Sequence, residues 1–317
     1  MFKRILSLLA TLSLVTTGLS FGQQANNLQP GPAELKDLVR RAGIRMTEYK
    51  SGFKDLTAAE EQRVEEFDQK GKLTKQRHIS SDLIIYQSQL DPTKMIEYRD
   101  VKAVDGKAIK KREARLVSLL NNSANADSLH KELDRIIQES RRYDLSHSFY
   151  GMTLNQGLPL EDTTRDAFEF KFAGRERVNG HDAIVLDYEQ VSQTPHLVFN
   201  FAAFPSPLNR AKGSYRGRVW LDAKTAQLRR ELRELVLNLP SLSRPLVLYT
   251  FDLNYVDSRF GFLTPQRIVM TTNSRGRTGA DKNPELLLGG RITFEYGAFS
   301  RFKVETPDVA IDPPAKP

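Results

Sequence analysis

Apolar residues recur along this chain at two different spacings, and the spacing changes near the middle. Leu35, Leu38, Val39, Ala42, Met46, Tyr49 and Phe53 fall at steps of three and four. One amphipathic helix is therefore expected over 32–54. Gly43 inside it costs about 1 kcal/mol relative to alanine and marks a candidate kink. Leu129, Leu133, Ile136 and Ile137 repeat the helical spacing, which predicts a second helix over 126–142. A shorter helical turn is expected over 112–120.

Elsewhere the period is two. Phe168, Phe170 and Phe172 alternate with Glu169 and Lys171; Ile184, Leu186 and Tyr188 alternate with Val185 and Asp187. Asn179-Gly180 between these runs is a hairpin turn signal, as is Asp105-Gly106 after Met95–Val104. Leu197, Phe199 and Phe201 alternate again, and Val247, Tyr249, Phe251, Leu253 and Tyr255 form the cleanest alternation. Arg216–Leu221, Arg267–Thr272 and Arg291–Tyr296 read as further strands, and Ile79–Tyr86 as half of a hairpin whose turn is at 68–71. Residues 57–67 fit either period. Residues 227–238 also fit a helix or a strand, and their hairpin context favours the strand. Gly276, Gly279, Gly289 and Gly290 predict a basic loop between the last two strands. The fold class expected is mainly β with helices (α+β). Its core is a wide antiparallel sheet of about ten strands, which must curl at that width. Turns this short leave no room for βαβ crossovers. The sheet's aromatic face is expected to be roofed by one or both amphipathic helices.

The two ends follow a different logic. Lys3 and Arg4 precede an apolar run from Ile5 to Val15, then small and polar residues up to Gly22. This is the pattern of a cleavable export leader over 1–22, since the run is about half the roughly 20 residues that span a bilayer. A periplasmic or secreted location is expected, with no transmembrane anchor after cleavage. Residues 23–31 read as a polar linker, 32–305 as a single domain and 306–317 as a Pro-rich disordered tail. The chain contains no cysteine. Disulfides, thiolate metal sites, a thiol nucleophile and a lipidated cysteine are thereby excluded, and stability must come from the core, which a chain of this length can bury.

Lys and Arg number 47 against 39 Asp and Glu, a net charge of +8 that falls to +6 without Lys3 and Arg4. The charges are interleaved, so no nucleic-acid footprint is expected. A solvated basic surface is the plain reading. Weak attraction to anionic envelope surfaces or lipid head groups is the functional one.

A search for catalytic chemistry finds none. There is no G-x-S-x-G elbow and no G-K-[ST] phosphate loop. His78, His130, His147, His181 and His196 are too scattered for a zinc site. His181-Asp182 follows a tight turn and reads as a turn-exposed pair. Glu60, Glu61, Glu65 and Glu66 read as a solvated face, and Arg275, Arg277 and Lys282 as a solvated loop. No catalytic residue, cofactor or metal ligand is assigned. Should the sheet enclose a cavity, its lining would come from Phe168, Phe170, Phe172, Trp220, Val247, Tyr249, Phe251 and Tyr255. Periodicity does not separate a lined cavity from a filled core.

Two stretches carry a resemblance. Arg218-Val219-Trp220-Leu221-Asp222-Ala223-Lys224-Thr225-Ala226-Gln227-Leu228 and Gly261-Phe262-Leu263-Thr264-Pro265-Gln266-Arg267-Ile268 resemble strands of the periplasmic lipoprotein carriers, the Lol-type half-barrels. The region from Tyr98-Arg99-Asp100-Val101 to Arg112-Glu113-Ala114-Arg115-Leu116 is similar to uncharacterised secreted bacterial proteins. The Lol-type resemblance implies a half-barrel with helical lid, holding a lipid or lipoprotein acyl chain in an apolar cavity. The alternative is an envelope interaction module with a filled core and a protein partner, and a secreted hydrolase is a third reading. A cavity of several hundred Å³ beneath the first helix would favour the carrier.

Overall fold

The computed structural model describes residues 29–88, 91, 94–111, 129–145, 151–195, 197, 212–238, 245–275 and 286–301. Its strands are β1 (Leu56–Phe67), β2 (Leu73–Gln87), β3 (Met95–Val104), β4 (Lys107–Ala108), β5 (Phe168–Val178), β6 (His181–Gln190), β7 (Lys212–Asp222), β8 (Leu228–Asn238), β9 (Leu246–Asp257), β10 (Leu263–Arg275), β11 (Leu286–Tyr296) and β12 (Ser300–Arg301). The helices are α1 (Pro32–Gly52) and α2 (Leu129–Ser140). The expected leader, the 112–120 turn, the strand through Phe199 and Phe201 and the Pro-rich tail lie outside the described residues.

The strands form one antiparallel sheet in the order β4-β3-β2-β1-β11-β10-β9-β8-β7-β6-β5, with β12 added to β1. Two meanders, β1–β4 and β5–β11, are thus joined by a single ladder from Glu60↔Tyr296 to Glu66↔Gly290. β4 and β5 do not meet, so the sheet is open, a mainly β half-barrel with helices. Its hairpin geometry follows from the turn residues. Asp105 and Gly106 have φ of 49° and 75°, and Asn179 and Gly180 have 49° and 83°. Two consecutive left-handed residues match the twist of antiparallel strands.

The inner face carries the main core. Leu56, Leu83, Leu186, Val219, Leu253, Ile268, Ile292 and Phe294 are fully buried there against Leu38, Val39, Ala42, Met46 and Tyr49 of α1. α1 begins with Pro32 at its first turn, and the Glu34 carboxylate accepts from the Gly31 N–H at 2.9 Å. That arrangement satisfies one of the unpaired amides of the helix start. Gly43 does not break the helix. A Cβ there would run into the Arg165 guanidinium and the Leu160 carbonyl, so this glycine is a point of close packing.

One sequence expectation is narrowed and two are corrected. α2 does not share the face of α1: Ile136 packs on Ile96 and Tyr98, with Ile84 and Tyr86 beside them. These side chains alternate with Leu83 and Arg99 and point out of the opposite face. Gly289 and Gly290 belong to strand β11 and not to a loop. The register shift between Thr272 and Asn273 leaves Gly289 as the extra residue of a bulge, a usual place for glycine inside a strand. Glu60 is fully buried and Glu66 nearly so, because even positions of β1 face inward with Ala58 and Val64. Residues 228–238 form strand β8.

Candidate functional site

The inner face is not purely apolar, and its polar groups converge on one segment. Residues 151–160 cross the concavity as turns ending in a 3-10 turn over Leu158–Leu160. Met152, Thr153, Gln156, Pro159 and Leu160 are buried. The Tyr49 hydroxyl donates to the Thr153 carbonyl at 2.8 Å, and Thr153 Oγ1 lies 3.4 Å from the Tyr296 hydroxyl. The Leu154 N–H donates to Glu97 at 2.6 Å and the Gly157 N–H to Glu231 at 3.0 Å. Arg233 donates to the Asn155 carbonyl at 3.3 Å, and the Tyr255 hydroxyl bonds Gln156 Oε1. A buried segment without regular structure must find partners for its backbone groups, and the sheet supplies them.

Two buried ion pairs frame this segment. Arg99 donates to Glu60 at 2.5 and 3.2 Å and lies over the Phe294 ring, 5.0 Å from its centre. Arg233 donates to Glu231 at 2.7 and 2.8 Å. Burial alone would lower both arginine pKa values, but the facing carboxylates outweigh it and raise them. Glu97 differs. Burial pushes its carboxyl up from 4.5 to about 7, although Arg99 and the Leu154 amide pull the other way. Burial likewise raises the hydroxyl pKa values of Tyr49, Tyr188, Tyr255 and Tyr296. Each of these groups has a structural partner, and the arrangement sets no nucleophile beside a base.

Among the described residues, α1 sits close on the sheet. A cleft of about 10 Å³ lies between Arg45, Met46 and Tyr49 of the helix and Leu228, Tyr255, Phe262 and Leu263 of the sheet. That is roughly the room of one water. A wider depression of about 340 Å³ opens on the outer face over β5–β8. It is lined by charge pairs such as Arg216–Glu234 at 2.8 Å and Arg218–Asp187 at 2.6 Å. Among the described residues no group of three or more His, Asp or Glu is placed to hold a metal ion. No helix among them is long and apolar enough to cross a membrane.

The eight aromatic and aliphatic residues of the expected lining divide. Phe168, Phe251 and Tyr255 are buried in the inner core, and Phe170, Phe172 and Tyr249 are half-buried at its margin. Trp220 lies on the outer face with Ala183 and Val185, its indole N–H donating to Glu176 at 2.7 Å and Arg230 stacked at 4.7 Å. It alternates with Val219 and Leu221, which take the inward positions. Val247 pairs with Val236, beyond a register shift after Leu235. The inserted residue reverses the alternation and turns Val247 out of the row of Tyr249, Phe251 and Tyr255. His181 is tied at both ring nitrogens, 3.0 Å from Arg229 and 3.0 Å from Asp257.

Sequence reasoning missed Glu60, Glu97, Arg99, Glu231 and Arg233. The signal was present: Glu60 shares phase with Ala58 and Val64, and Arg99 with Val101. A charge on the apolar phase of a strand marks a buried polar network.

The open antiparallel sheet with its roofing helix defines a mainly β half-barrel. No protein-family model matches the sequence, and no curated protein matches it either. In structure the chain is similar to a LolA superfamily protein, NE2245, from Nitrosomonas europaea, at 9% identity and a TM-score of 0.34, covering 86% of this chain and 94% of that one. It is also similar to a putative outer membrane lipoprotein-sorting protein domain from Vibrio parahaemolyticus, at 12% identity and a TM-score of 0.30, covering 84% and 94%. A DUF1329 family protein from Desulfovibrio piger matches at 11% identity and a TM-score of 0.33, covering 86% and 95%.

Proposed function

We propose that the protein is an exported, non-catalytic module of the cell envelope that acts through its surface. The export leader over 1–22 supports the location. One observation carries the rest: the concavity is occupied by the protein's own residues 151–160, hydrogen-bonded to Tyr49, Glu97, Glu231 and Arg233. The cleft left beneath α1, about 10 Å³, is far below the several hundred Å³ of a ligand pocket. Native mass spectrometry of the purified mature protein tests this. The expected result is the bare mass, with no shift in melting temperature on adding fatty acid or phospholipid. A stoichiometric acyl ligand retained through purification would overturn it.

A second reading draws on the half-buried aromatic row of Phe170, Phe172, Tyr215 and Tyr249 at the core's margin. These rings offer an apolar surface to an acyl chain, worth roughly 0.8 kcal/mol per CH₂ buried. In that case the protein would carry a lipid or lipoprotein, and Phe170→Ser with Phe172→Ser would abolish its retention.

A further inference from the structure

Four of the chain connections on the rim of the sheet where α1 ends are fastened to one another. They are the turn from α1 into β1, the β7–β8 turn, the β9–β10 turn and the β11–β12 turn. Aromatic rings fasten them together. Phe53 lies 5.5 Å from Phe262 and 5.4 Å from Phe299, and Phe262 stacks on Phe260 at 5.8 Å. Gln227 donates to the Gly261 carbonyl at 3.1 Å, and Arg301 to the Lys54 carbonyl at 3.1 Å.

Four cations on this rim have no carboxylate partner among the described residues. They are Lys54, Lys224, Arg259 and Arg301, all exposed. Arg259 and Arg301 instead flank the Phe260 ring, at 5.2 and 5.3 Å. The acidic groups nearby are mostly engaged elsewhere. Asp222 and Asp257 both turn to the buried Arg229, at 2.9 and 3.0 Å, and exposed Asp182 lies 3.9 Å from exposed Arg177, leaving half-buried Asp55. The outer face differs, since there Arg216, Arg218 and Arg230 each hold a carboxylate on a neighbouring strand.

We infer that this rim is a docking surface for an anionic lipid bilayer. The inference rests on the reading of the protein as a surface-acting envelope module and names its partner. The four cations come from four separate parts of the chain, and the cleft beside them, between α1 and Gln227 and Phe262, holds only about 10 Å³. Such dispersed charge suits a sheet of phosphate head groups, each of which attracts an exposed Lys or Arg. The half-buried Phe260 ring between Arg259 and Arg301 adds apolar area of the kind that interfacial elements bury at the head-group boundary.

The test is flotation of the full mature protein with vesicles. Phosphatidylcholine alone is compared with an equal mixture of phosphatidylcholine and phosphatidylglycerol, at low and high salt. Binding is expected to the mixed vesicles only, and to fall in high salt as the charges are screened. Arg259→Glu with Arg301→Glu should weaken it at least tenfold. Lys70→Glu with Lys72→Glu, at the β1–β2 turn on the opposite rim, makes the same change in net charge and should leave binding near the parent value. Melting curves of both double variants confirm folding. Equal loss in the two double variants, or equal binding to both vesicle types, would overturn the inference. A protein that ignores vesicles and also retains no lipid sinks this inference alone, leaving a surface-acting module with a protein partner. Retained acyl ligand sinks the module reading, whatever the vesicles show.

Discussion

Glu97 shows how a single side chain couples this core to pH. Its carboxyl titrates near 7 in the folded protein against 4.5 ordinarily, because burial disfavours the charged form. The folded state therefore holds this proton more tightly than the unfolded chain. The resulting stabilisation is complete below about pH 4.5 and is lost as pH rises through 7. Glu97→Gln keeps a carbonyl acceptor for the Leu154 N–H and removes the titration. Melting temperature against pH should show the parent losing on the order of a few kcal/mol, relative to this variant, between pH 4.5 and 8. A parallel course of the two curves would contradict the assignment. Glu60 and Arg99 give a second residue-level outcome. Glu60→Ala strands a buried guanidinium and should cost about 3–5 kcal/mol, whereas replacing both partners by Met should cost much less. Urea denaturation of the two variants measures the difference. Gly217 gives a third. A Cβ there would collide with the Leu232 carbonyl and the Tyr188 hydroxyl, so Gly217→Ala should destabilise by about 1–3 kcal/mol or more in the same assay.

At the scale of elements, α1 and segment 151–160 are held in different ways. α1 docks by apolar burial, so Met46→Ala should cost about 2–5 kcal/mol. Segment 151–160 docks by hydrogen bonds to buried groups. Hydrogen exchange should show the Leu154 and Gly157 amides protected to nearly the same free energy as the inner strands. Exchange of those two amides well before global unfolding would show that the segment leaves the concavity, and would favour the carrier reading. α1 was legible in the sequence because its stripe runs unbroken over five turns. Strand β8 stayed ambiguous because Leu228, Leu232, Leu235 and Val236 satisfy two periods at once, and only pairing with β7 and β9 settles it. Segment 151–160 has no period at all. Its place depends on partners about 50 to 140 residues away in sequence, which no local pattern encodes.

For the whole molecule, surface charge is decided by which carboxylates the cations meet. The composition shows a basic chain with interleaved charges and nothing more specific. Folding pairs most outer-face cations across strands and leaves Lys54, Lys224, Arg259 and Arg301 together at one rim. The sequence by itself determined the period of α1 and of most strands, the hairpin turns at Asp105-Gly106 and Asn179-Gly180, and the absence of any thiol chemistry. These are local properties, set by backbone sterics and by which residues alternate. Tertiary structure alone decided that α2 covers the face opposite α1, that Trp220 points away from the other aromatic residues, and that residues 151–160 lie against the inner face. Each depends on which face of a strand is inward and on what distant chain reaches it, and both are fixed only when the strands pair.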